Sequence, residues 1–395
     1  MLLSAGSNAH GQLSNTSVDD SHLFSPCSFL GGQPGALPAG RKLLHLTFGA
    51  NHTLALLEVT ADRKTELWGC GDGKSGQLGL SYNAGATMNT TVFRPLQFSF
   101  EQNDLAGYLP RLVEASWETT YVVLSCEDKP DVLISMGAND FGDLGIGAKR
   151  AGKLPAKDFH VVGFDHLLDA SVDKASLVME SLASGQHHVI VKLKTASRDL
   201  VVGWGTSRHG QLGDVEKPFL SAPAIISTHK PDDPLLFAAL GHQHTVFLHS
   251  SGTVSSFGSN RKDQLEGIGA VADVQVVDCT WNGTYIRTGD GPIWELLSAG
   301  HNAHGQLGRG GDHDLGRLLQ FVCGSEHVLA SFLVPGPDAT TEVWGWGWNE
   351  HGNLGLGTTT DVHIPVKLWP LESSQASHRH IRIWAGSGTS WIFAE

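Results

Sequence analysis

Several residue groups in this chain have the types and spacing that chemistry requires. Gly71-Asp72-Gly73-Lys74-Ser75 ends in the Gly-Lys-Ser of a phosphate loop, and His242 with His244, like His378 with His380, has the spacing of a metal-binding pair. A phosphate loop also needs a glycine five residues before Gly73, so that its backbone can wrap the phosphates; that position is Trp68. Neither histidine pair has carboxylate or cysteine residues at ligand spacing to complete a metal site. The five cysteines, Cys27, Cys70, Cys126, Cys279 and Cys323, are scattered without a C-x-x-C pair and read as reduced, mostly buried thiols. No nucleophile elbow occurs, and no acid–base pair can be brought together from sequence. The chain therefore reads as a non-enzyme with no cofactor and no metal. What remains is aromatic: indoles beside polar groups, the kind of residue that anchors protein interfaces.

Positioning such residues falls to an internal repeat. A motif of the form G-x-N-x-x-G-Q-L-G starts at Gly6, Gly71, Gly137, Gly205, Gly258, Gly300 and Gly347, with gaps of 65, 66, 68, 53, 42 and 47 residues. Variable gaps exclude a solenoid in strict register and suit units with loops of free length. A second motif, G-x-x-H-T/V before a short apolar run, alternates with the first. It is clear at Gly49–Thr53, Gly185–Val189, Gly241–Thr245 and Gly324–Val328, and degenerate at Ser116–Thr120, Thr280–Thr284 and Gly386–Ser390. The apolar runs are β-rich, and Ser251-Gly252 between Val246 and Asn260 punctuates a hairpin. Seven small antiparallel sheets that pack face to face make an all-β, seven-bladed β-propeller, one domain over residues 1–395. The first residues are a G-x-N strand and the last, Trp391 to Glu395, a second-motif strand. Their pairing is expected to close the ring.

Within this frame most motif residues read as structural. The glycines supply positive φ or close backbone approach. His52, His188, His244 and His327 sit just before strands, where an imidazole can bond to the neighbouring blade. Trp346 and Trp348 share one strand face and are expected to pack between blades. The degenerate second motifs are different, since they place Trp117 with Glu118 and Trp281 with Asn282 where other copies have small or polar residues; the structural alternative is that both indoles fill the central channel or pack between blades. These four, with Trp348, Asn349, Glu350 and His351 of the last G-x-N turn, are the candidate partner contacts. Ser81 to Pro110 and Ala148 to Asp173 read as loops on one rim, the second carrying Lys149, Arg150, Lys153 and Lys157, a modest basic run that reads as a solvated loop, with contact to an acidic partner or tRNA as the alternative.

The two alternating motifs resemble those of the regulator-of-chromosome-condensation repeat family, over nearly the whole chain. The resemblance implies a seven-bladed propeller, in a family that includes exchange factors for the GTPase Ran, ubiquitin-ligase modules and photoreceptors. Within it, Val343 to Gly357 and Ser116 to Leu124 look most like the fungal killer-toxin-insensitivity or α-tubulin suppressor proteins. That likeness implies a scaffold for a small CSL-type zinc protein of diphthamide synthesis, in support of Elongator-dependent modification of the tRNA wobble uridine. The alternative is a guanine-nucleotide exchange factor for a Ran-type GTPase. The G-W-R-H-T copies that build an ultraviolet-sensing tryptophan cage are absent.

Composition sets the outer bounds. The 395 residues carry 27 Lys+Arg against 40 Asp+Glu, a net charge of −13, which argues against direct duplex-DNA or polybasic membrane binding. With 41% hydrophobic and 17% charged residues the chain can bury a large core. The 48 glycines, about 12% against an average near 7%, imply many tight turns. No secretory signal is read in Met1 to Ser7. The expectation is a cytoplasmic protein that also enters the nucleus, a monomer or one half of a 1:1 heterodimer.

Overall fold

A computed structural model describes residues 1–83, 89–147, 157–168, 177–196, 198–214, 216–228, 232–289, 294–310, 315–335, 340–370 and 380–395. Its strands form seven antiparallel sheets, the blades of a propeller. Taken from the inner strand outward, blade 1 is Arg41–Phe48, His52–Val59, Thr65–Asp72 and Asn89–Pro95. Blade 2 is Leu109–Ala115, Thr119–Ser125, Val132–Gly137 and His160–Val162; blade 3 is Val178–Ser184, His188–Lys194, Asp199–Thr206 and Phe219–Ile225. Blades 4 and 5 have three described strands each, Leu235–Leu240, His244–His249 and Val254–Gly258, then Val274–Thr280, Gly283–Thr288 and Glu295–Gly300. Blade 6 is Arg317–Cys323, His327–Val334, Thr340–Gly347 and Val362–Trp369.

Blade 7 uses both ends of the chain. Its inner strands, Ile381–Ala385 and Thr389–Ala394, come from the C-terminal side, and its outer strands, Leu2–Gly6 and Ser21–Pro26, from the N-terminal side. Leu2 faces Phe393 and Gly6 faces Thr389 across the closing ladder, so the expected clasp is formed. Each inner strand touches the next around the whole ring, including Ile381–Ala385 against Arg41–Phe48. Cores between blades are apolar; the one at the closure unites Leu2, Leu13, Phe93, Trp384 and Trp391 from blades 7 and 1.

The repeat motif is a self-stapled loop. Asn8 Oδ1 accepts from the Leu13 amide at 2.9 Å, and the equivalent bonds recur from Leu144 to Asn139, Leu265 to Asn260, Leu307 to Asn302 and Leu354 to Asn349. The following glutamine accepts the amide of the loop tip, as Gln211 does from His209 at 2.9 Å. The motif leucine then enters the core: Leu13 and Leu354 are fully buried. The leading glycine is obligatory. At Gly71, φ is +95°, and an added Cβ would lie 2.3 Å from the Asn51 carbonyl in the adjoining turn.

Second-motif histidines tie neighbouring blades together, as their position predicts. Nε2 of His52 lies 3.0 Å from Thr120 Oγ1, that of His188 2.9 Å from Thr245 Oγ1, that of His244 3.2 Å from Thr284 Oγ1, and that of His327 3.1 Å from Ser390 Oγ. Each ring lies over its motif glycine, where at Gly49 a Cβ would approach His52 Cε1 to 2.1 Å. Burial holds all four imidazoles neutral, with pKa values lowered to about 4, 3, 4 and 4 respectively.

Two segments read as rim loops contain structure. Ser81 to Pro110 includes the outer strand Asn89–Pro95, and Ala148 to Asp173 includes His160–Val162. Outer strands have few buried neighbours and tolerate polar residues and proline, which hides them from an apolar-pattern search. Lys149, Arg150 and Lys153 of the basic run, and His378, lie outside the described residues.

Candidate functional site: the indole-capped mouth of the channel

Because the second motif turns the first strand into the second, and the G-x-N loop leaves the third strand at that same end, as the pairing of His52 with Gly71 shows, one face of the propeller carries all of them. Turns of successive blades are joined by backbone hydrogen bonds around the channel mouth. The Ala50 amide donates to Trp117 O at 2.8 Å, Trp117 to Gln186 O at 3.1 Å, His242 to Trp281 O at 3.0 Å, Trp281 to Ser325 O at 2.7 Å and Ser325 to Gly386 O at 3.1 Å. The backbone thus fixes where each side chain of the mouth starts.

From that ring the two degenerate copies reach toward each other. Trp117 of blade 2 and Trp281 of blade 5 have ring centroids 5.9 Å apart at 52°, and both remain half-buried. His242 lies 6.2 Å from Trp281, His187 lies 6.5 Å from Trp117, and Phe141 packs edge-on against His187 at 4.7 Å. Beneath the indoles runs a cavity of about 260 Å³, with His45, Glu114 and Asp278 among its walls. Asp278 accepts the amides of Cys279 and Cys323 at 2.8 Å each, and burial raises its pKa to about 6. The indole pair caps this channel while keeping open ring surface toward solvent.

The other candidate residues divide. Glu118 is half-buried, with Ser75 Oγ at 3.4 Å from its carboxylate. Asn282 is engaged: its Nδ2 donates to Glu326 Oε1 at 2.6 Å, and Gln306 Nε2 donates to the other oxygen at 2.8 Å. Trp348 stands apart from the pair, over Gly388, with His351 edge-on at 5.2 Å. His351 Nδ1 is 2.7 Å from Asp20 Oδ2, a contact from blade 6 to blade 7, and Glu350 is exposed.

Asn349 corrects the sequence expectation of an exposed contact. It is fully buried, donating to the carbonyls of Thr358 and Thr360 and accepting from Leu354 N, because it is the stapling asparagine of its repeat. Asn349→Ala should cost roughly 2 kcal/mol through the unpaired groups it leaves, measured as a lower Cm in urea, while partner capture by the folded fraction stays unchanged. Of the histidine pair, buried His244 faces Thr284 and His242 faces Trp281. Among the described residues no group of three or more His, Cys, Asp or Glu side chains could hold a metal ion.

His187, His242 and Phe141 belong to the mouth although sequence reasoning passed them over. The signal was present: His242 occupies the same motif position as Trp117 and Trp281, and reading that one position around all seven copies would have found it.

Residues 342–390, the third strand of blade 6 through the turn of blade 7, match the Regulator of chromosome condensation (RCC1) repeat. The chain is a seven-bladed β-propeller that resembles the proteins carrying this repeat. It is 24% identical to the ultraviolet-B receptor UVR8 of Arabidopsis thaliana over 99% of its own length and 83% of the receptor's. It is 23% identical to the secretion-regulating guanine nucleotide exchange factor of Mus musculus, covering 99% of this chain and 82% of that one. Among solved structures, Prp20p of Saccharomyces cerevisiae, described with its binding to Gsp1p and histones, superposes with a TM-score of 0.72 at 16% identity, over 99% of this chain and 90% of that one. At that identity the likeness concerns the fold.

Proposed function

We propose that this RCC1-like propeller is an interaction platform whose indole-capped mouth binds a small CSL-type zinc protein, and that through it the chain supports Elongator-dependent wobble-uridine modification and diphthamide synthesis, in the cytoplasm and the nucleus. The meeting of Trp117 and Trp281 on one face carries the platform reading. Two half-buried indoles on a backbone-fixed ring form a preorganised anchor, so little ordering entropy is lost when a partner covers them. The choice of partner rests on the likeness of Ser116 to Leu124 and Val343 to Gly357 to the killer-toxin-insensitivity proteins.

The W117A/W281A double variant should capture the purified CSL-type zinc protein more weakly by roughly 2 kcal/mol or more, about 30-fold in Kd, on the scale of aromatic hot spots. Titration calorimetry with matched circular dichroism reads this directly. Equal affinity in a folded double variant would remove both indoles from the site.

The relative named as an exchange factor favours a second reading, acceleration of GDP release from a Ran-type GTPase. Stopped-flow release of labelled GDP separates the two, since a platform leaves the spontaneous rate untouched.

A further inference from the structure

We infer that the loop tips of blades 3 and 4, carrying Arg208, Arg261 and Lys262, dock an acidic segment of the protein partner that covers the Trp117–Trp281 mouth. The inference rests on the platform reading and names the partner's chemistry. Each G-x-N-x-x-G loop exposes a dipeptide at its tip. Across the seven tips there are four permanent cations, Lys74, Arg208, Arg261 and Lys262, against two anions, Asp140 and Glu350. In a chain of net charge −13 this ring is an inversion of sign, and three of its four cations fall on two adjacent blades.

The local geometry holds them outward. Arg208, Arg261 and Lys262 are exposed, and none has an ion pair among the described residues. Their backbones are pinned: the His209 amide donates to Gln211 Oε1 at 2.9 Å, the Lys262 amide to Gln264 Oε1 at 2.9 Å and the Arg261 amide to Ser259 Oγ at 3.3 Å. The two loops are neighbours, since a Cβ on Gly258 of blade 4 would sit 3.2 Å from Gln211 Cα of blade 3. Asp263 and Glu266 follow in the blade 4 loop, Glu266 within 3.5 Å of Asn260 Nδ2. Desolvation lowers the pKa of His209 beside them, and the nearby Arg261 and Arg208 add to that lowering. From here His242 and Trp281 lead to the mouth, and a partner that lays an apolar group on the indoles can set its carboxylates on these tips. A protein segment is favoured over a nucleic acid, because a long polyanion would also meet the remaining negative surface.

The test uses the full chain and a short fluorescein-labelled oligoglutamate followed by anisotropy. Wild type should bind it at low salt and lose it as salt rises. R208E/R261E should weaken binding roughly tenfold or more. R63E/K64E, which makes the same charge change at exposed positions on the opposite face, should leave it near wild type, and W117A/W281A should keep it. The inference is overturned if R208E/R261E binds like wild type, if both charge variants lose affinity equally, or if a tRNA outcompetes oligoglutamate at the same residues. Failure of the platform reading shows separately, as capture of the CSL-type zinc protein that W117A/W281A does not weaken.

Discussion

Lowering the pH from about 7.5 to about 5 should remove roughly 7 kcal/mol of folding stability, enough to bring the propeller to the edge of unfolding. The cause is the set of inter-blade histidines. In the folded state His52, His244 and His327 stay neutral down to about pH 4 and His188 to about 3, whereas the unfolded chain takes up those protons near the ordinary value of 6.5. Their contribution is complete above about pH 6.5 and is lost as pH falls toward 4, each imidazole costing about 1.4 kcal/mol per pH step. Asp278 works in the opposite direction: its folded pKa of about 6 lies above the carboxylate's usual 3.8, so acid relieves a buried charge and offsets about one histidine below pH 6. Urea titrations at the two pH values measure the difference. His188→Gln should lower stability at pH 7.5 and flatten the pH dependence, while equal midpoints for wild type at both pH values would refute the account.

Removing residues 391–395 should abolish the cooperative transition or lower Tm by about 10 °C or more. The deletion takes out most of the strand that lies between Ile381–Ala385 and Leu2–Gly6, and with it the pairings of Leu2, Leu3 and Ser4 with Phe393, Ile392 and Trp391 that join the ends of the ring. Trp391 alone is a large part of this. It is fully buried, 5.4 Å from Phe48 and 6.1 Å from Phe93, so it links blade 7 to blade 1. Trp391→Ala should cost about 3–5 kcal/mol, as for other aromatic truncations in cores. A thermal scan of either variant that overlays wild type would mean that the ring holds without its clasp.

The fold was legible because the requirements of the turns are written in few residue types. Only glycine fits where Gly71 crosses the Asn51 carbonyl, and only an asparagine staples Leu354 in its loop, so both recur at fixed spacing. The outer strands were not legible, since Asn89–Pro95 and Ser21–Pro26 mix polar residues and proline on half-exposed surface. At the site, Trp117 and Trp281 stood out as departures from the motif. Their encounter did not, because 164 residues and three blade steps separate them, and only closure of the ring brings them across one opening. Asn349 misled for the opposite reason: a polar residue in a turn looks solvated until its acceptors, the Thr358 and Thr360 carbonyls, are seen.

Closure also leaves the two chain ends side by side, with the Ala394 amide 2.9 Å from the Met1 carbonyl, on the side of the disc away from the indoles. A fluorescent label or affinity tag fused at either end therefore projects away from the mouth. The same proximity permits circular permutation: a short linker can join the ends and new ends can be cut at Ser251-Gly252, a tight hairpin turn between the second and third strands of blade 4. Such a permutant would turn the closing ladder of blade 7 into an ordinary hairpin.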